Sequence, residues 1–229
     1  MAEDYLTDDE QLEVVKHAFV EYAPWIIGGV FVGAALFFGY RYYQSYTDGR
    51  ALEAATQFSA MAAALQANDH EKSRQIAASL IKDHAGSPYA DQAQLTLARL
   101  DVDDGHADHA IAPLTQVMND SKDTDLRHIA RVRLARILTD QGKPDEAIKT
   151  LADPIPPAFA ARYHEVRGDA YFVKKDTAHA LTEYQAALAA ADRGGINAPL
   201  LELKIQDLGA DPTPPAKTVS VDTLNKVKP

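Results

Sequence analysis

VRGDAYFVKKDTAHALTEYQAALA, residues 166 to 189, is the stretch that decides the fold. It reads as two helices about a polar break at Lys174-Lys175-Asp176. Gly168 and Tyr171 lie on the first helix, and Ala180, Tyr184 and Ala187 on the second. A small, aromatic, small, aromatic, small order is what a tight helical hairpin needs. Small residues let the two backbones approach, and the rings fill the space between them.

The same order recurs upstream. Ala98, Ala135 and Gly168 stand 37 and 33 residues apart, and Ala110, Ala147 and Ala180 repeat those offsets. Gly105 and Gly142 mark the turns of the two earlier blocks. A helix-turn-helix unit with a period near 34 resembles the tetratricopeptide repeat. The middle block keeps Ala135, Leu138, Ala147 and Leu151 but has Pro154 where a small residue belongs, and the first has Asp101 where an aromatic is usual. Residues 50–84 form a degenerate fourth hairpin, broken at Asn68-Asp69 and ended by Ala85-Gly86-Ser87-Pro88. Asp153-Pro154-Ile155-Pro156-Pro157 is a stiff link, and a last helix from Pro199 to Leu208 caps the array. No run alternates apolar and polar residues with a strand's period. The expected fold is all-α: a single N-terminal transmembrane helix followed by a tetratricopeptide-repeat-like α-solenoid over residues 44–208, then a disordered Pro-containing tail, 209–229.

The transmembrane expectation comes from YAPWIIGGVFVGAALFFGY, residues 22 to 40, which carry no formal charge. As a helix this run covers roughly 28 Å, close to the hydrocarbon thickness of a bilayer. Tyr22 and Trp25 at one end and Tyr40, Tyr42 and Tyr43 at the other match interfacial belts, so the span is placed at 22–43. A cleaved signal peptide would have a basic start and a small-residue cleavage site, whereas the preceding segment is acidic. Pro24 suits the span's first turn. Gly29 and Gly33, four apart, suit a helix-packing face in the membrane. Residues 1–21, with seven acids against one lysine, form an acidic amphipathic segment opened by a capping box at Thr7 and Glu10. Its acidic face points to a protein partner rather than to anionic lipid.

The net charge of −10 argues against nucleic acid, whose phosphates need clustered cations. Without cysteine there are no disulfides or thiolate metal sites. His106 and His109 are the best metal pair, but they fall on a repeat turn where polar residues are expected anyway, and no phosphate loop, nucleophile elbow or HExxH occurs. Neither catalysis nor a cofactor is expected. What the array offers is a groove. Arg99, Arg136 and Asp169 are equivalent positions on the first helices of successive hairpins, and Val102, Thr139 and Phe172 follow one turn on, with Arg162 and Glu165 nearby. Arg99, Arg136, Arg162, Asp169 and Phe172 are the expected partner contacts, since Arg and aromatics dominate binding hot spots.

DDEQLEVVKHAF, a run ending GYRYYQSY, ARVRLARIL and VRGDAYFVKKD together resemble the YfgM-type ancillary subunit family of the Sec translocon. That resemblance implies a cytoplasmic amino terminus, a single pass through the bacterial inner membrane and a periplasmic repeat domain beside SecYEG. It also implies a PpiD-type membrane-anchored prolyl isomerase as partner and unfolded secretory chains as clients. The basic residues near the span, Lys16 before it and Arg41 and Arg50 after it, point weakly the other way. The alternative role is a self-associating cell-envelope structural protein.

Overall fold

The computed structural model describes residues 8–152, 154–191 and 196–212, excepting the side chains of 8–15, 17–19, 21, 23, 24 and 26. The expected capping box, the acidic segment's apolar stripe up to Phe19 and most of the expected tail lie outside these residues. The chain divides into two compact units, Met1–Thr56 and Gln57–Pro229.

Among the described residues there are nine α-helices and no strand: α1 (Asp8–Gln66), α2 (His70–Asp83), α3 (Pro88–Asp103), α4 (Ala107–Asp120), α5 (Thr124–Asp140), α6 (Pro144–Thr150), α7 (Ala160–Val173), α8 (Thr177–Ala189) and α9 (Ala198–Asp207). One expectation is corrected. A short amino-terminal helix, with Pro24 opening a second, was expected; instead α1 is continuous and Pro24 falls inside it. Among the described residues no helix is long and apolar enough to cross a membrane. The expected span therefore is not shown, and it includes Ala23, Pro24 and Ile26, whose side chains are outside the described set. In unit 1, every large apolar side chain described from Val20 to Tyr46 is more than half exposed.

In unit 2 the repeat is written into the backbone. Asn68, Gly105, Gly142 and Lys175 all have positive φ, at 54°, 80°, 70° and 65°, and follow one another at 37, 37 and 33 residues. Each ends a helix with the same pair of bonds. The Gly105 amide donates to the Val102 carbonyl at 3.0 Å and the His106 amide to Asp101 at 2.7 Å; the Lys175 and Asp176 amides donate to Phe172 and Tyr171, both at 2.9 Å. This Schellman geometry satisfies carbonyls that a helix end leaves free and requires a left-handed residue at the turn. It also occurs at Asn68, where the Asp69 amide donates to Ala64 at 2.9 Å, so the expected degenerate fourth hairpin shares the turn of the others.

The closest approaches follow the same spacing. Seven residues before each turn stand Met61, Ala98, Ala135 and Gly168, and five after it Ser73, Ala110, Ala147 and Ala180. Seven of these are buried side chains, from 0 to 2 % exposed. At Gly168 there is no room for one: a Cβ there would lie 2.5 Å from Cδ1 and Cε1 of Tyr184. Helix starts are capped by Asp69, Ser87, Asp123, Asp176 and Asn197, whose side-chain oxygens accept amides of the first turn. The main core runs from Leu95 on α3 to Ala170 on α7, and a second cluster joins Ala180, Tyr184 and Ala187 to Leu201 and Ile205 of α9, the expected cap.

Candidate functional site

Successive first helices α3, α5 and α7 carry the expected groove residues, and the structure sorts them into two groups. Arg99 on α3 and Arg136 on α5 line one cavity of about 400 Å³, floored by Ala98, Leu114 and Ile137. Arg162 on α7 joins Arg136 in the next cavity, of about 290 Å³, walled by Ile129 and Phe159. A third, of about 450 Å³, continues past Arg99 to Phe58, Leu65 and His70.

Common to all three is Arg133, which reasoning from the sequence missed. Its repeat equivalents, Thr96 and Val166, are not charged, so no periodic signal singles it out. Arg133 is half-buried, and its Nη1 donates to the Leu95 carbonyl at 3.0 Å. Burial lowers its pKa, and the like charges of Arg99, Arg136 and Arg162 add to the effect. The acids here sit beside the outer guanidinium groups: Asp103 is 3.4 Å from Arg99 and Glu165 is 3.2 Å from Arg136, with Asp140 also lining the middle cavity.

Asp169 and Phe172 do not join this cluster. They line a separate hollow of about 170 Å³ with Tyr184, Lys204 and Asp207. Asp169 accepts from the Tyr184 hydroxyl and from Lys204 Nζ, both at 2.7 Å, so α8 and α9 already engage it. Burial, and then the charge of Asp169, raise the Tyr184 pKa and keep the phenol protonated. Phe172 is 53 % exposed. A Cβ added at Gly29 or Gly33 would meet no atom within 4 Å among the described residues. The His106 and His109 rings stack at 5.4 Å, and among the described residues no three His, Cys, Asp or Glu side chains gather as metal ligands.

A family model described as a tetratricopeptide repeat-like domain matches residues 16–210. The chain belongs to the tetratricopeptide repeat-like domain family. Relatives of this repeat-like chain include the protein named "Ancillary SecYEG translocon subunit" of Neisseria gonorrhoeae (strain ATCC 700825 / FA 1090), 29% identical over 89% of this chain and 98% of its own length. The protein of the same name from Escherichia coli (strain K12) is 27% identical over 90% of this chain and 98% of its own length. A third, from Haemophilus influenzae (strain ATCC 51907 / DSM 11121 / KW20 / Rd), is 24% identical over 80% of this chain and 89% of its own length. The resemblance drawn from the span-flanking and RGDAY stretches is thus shared with relatives of that name. No solved structure matches the chain.

Proposed function

We propose that this protein is a membrane-anchored adaptor of the SecYEG translocon. Its repeat groove holds a partner protein or an emerging chain near the channel. The carrying observation is coextensive similarity: proteins named ancillary SecYEG translocon subunits align with this chain over 98% of their length, repeats and apolar run together.

The anchor is the charge-free run 22–40 within residues 22–43, with the amino terminus cytoplasmic and the repeats periplasmic in the bacterial inner membrane. Its support is physical. Val30, Phe31 and Val32, and again Leu36, Phe37 and Phe38, are consecutive and exposed. At about 100° per residue each triplet sweeps roughly 200° of the helix surface, so apolar side chains cover it all round, as lipid requires. Gly29 and Gly33 offer a close-packing face for another membrane helix. A PpiD-type membrane-anchored prolyl isomerase is the proposed periplasmic partner, and unfolded secretory chains the proposed clients. Anchoring raises the effective concentration of a weakly binding groove without tighter contacts.

Purification of the full tagged chain in mild detergent tests the role. SecYEG components and an anchored isomerase are expected in the eluate. Their absence, with only copies of this chain crosslinked to one another, would replace the adaptor by a self-associating envelope protein.

A further inference from the structure

We infer that the arginine trough formed by Arg99, Arg133, Arg136 and Arg162 takes an extended acidic peptide segment, with carboxylates spaced by small or apolar residues. This names the ligand class of the adaptor groove and rests on that reading.

Four guanidinium groups converge within a chain of net charge −10. Placing like charges together opposes folding, and a half-buried cation keeps little water to offset it. Arg99 and Arg136 each have a carboxylate beside them, whereas Arg133 donates to a neutral carbonyl. An incoming carboxylate relieves the repulsion at the centre, and the planar guanidinium fork suits it bidentately. The trough is elongated: three cavities share Arg133 and run over α3, α5 and α7. Leu95, Ile129, Ile137 and Phe159 line the same cavities as the charges. An extended peptide places every second side chain on one face at about 7 Å, which matches charges alternating with apolar contacts.

The test uses the full chain in mild detergent and fluorescence anisotropy of a short labelled peptide of alternating Glu and Ala, against its Gln and Lys counterparts. The Glu peptide is expected to bind about tenfold or more tighter than the Gln peptide, with affinity falling as salt rises, and the Lys peptide not at all. Arg133→Gln should abolish the preference. R99Q/R136Q, altering two exposed side chains and so leaving the fold intact, should weaken Glu-peptide binding about tenfold. Equal binding of the Glu and Gln peptides, or Glu-peptide binding indifferent to R99Q/R136Q, would overturn the assignment. So would capture of phosphatidylglycerol vesicles through these arginines without peptide binding. Failure to co-purify with the channel, alongside arginine-dependent Glu-peptide binding, sinks the adaptor reading alone; co-purification without that binding sinks the ligand class alone.

Discussion

Ser73 occupies the position that Ala110, Ala147 and Ala180 hold in the later hairpins, and like them it is fully buried. Its Oγ has no hydrogen-bond partner among the described residues. A buried hydroxyl without a partner loses water and recovers nothing, so Ser73→Ala should stabilise the protein by about 1 kcal/mol in denaturant titration. Lys175 makes a second case. It is exposed and holds φ at 65°, where Gly105 and Gly142 stand in two other hairpins. A side chain in that region costs about 1 kcal/mol, so Lys175→Gly should raise stability by up to about 0.6 kcal/mol, net of the added unfolded-state entropy. At Gly142 the reverse change, Gly142→Lys, should lower it by a similar amount. Ser73 and Lys175 also explain why the repeat is only partly legible in the sequence: each is a local departure at a position where the backbone still obeys the motif. Asn68 makes the fourth hairpin read as degenerate in the same manner, since asparagine tolerates the left-handed turn well enough to replace glycine.

Helix pairing is where legibility was greatest. The small residues at 98, 135 and 168, and those at 110, 147 and 180, were readable because hairpin contact punishes any larger side chain at these points. Gly168 is the extreme case, with the Tyr184 ring occupying the space of its missing Cβ. Gly168→Ala gains up to about 1 kcal/mol of helix propensity but must displace a ring that is 2 % exposed and bonded to Asp169. The net expectation is a loss of about 1–3 kcal/mol, with near-ultraviolet circular dichroism reporting the disturbed tyrosine. Element boundaries were legible at polar breaks such as Asn68-Asp69 and Gly86-Ser87-Pro88, whereas the Asn197 cap of α9 was not read. The join between residues 8 and 66 was not legible: Pro24 reads as the start of a new helix, yet α1 continues through it. The groove was legible only as a set of equivalent positions. Arg133 breaks that equivalence, and the engagement of Asp169 by Lys204 depends on α9, a helix outside the repeats.

At the scale of the molecule, the arginine trough lies in the unit from Gln57 onward and the apolar run in the unit before it, so binding and anchoring fall to different residues. If the run enters lipid, its eight Ile, Val, Leu and Phe residues contribute about −0.3 to −0.6 kcal/mol each, or roughly −2 to −5 in total before the small residues are counted. One aspartate near the centre of such a helix costs about 2.5–3.5 kcal/mol and also removes an apolar contribution. Val32→Asp alone should therefore leave insertion near balance, and V32D/F37D should abolish it. In carbonate-washed membranes the unaltered full chain is expected in the pellet, V32D divided between pellet and supernatant, and V32D/F37D in the supernatant. The released double variant should still bind the Glu peptide with unchanged affinity, because its four trough arginines are untouched and lie in the other compact unit. Recovery of the unaltered chain in the carbonate supernatant would remove the anchor. Loss of peptide binding in the double variant would show that the groove depends on the run it was taken to be independent of.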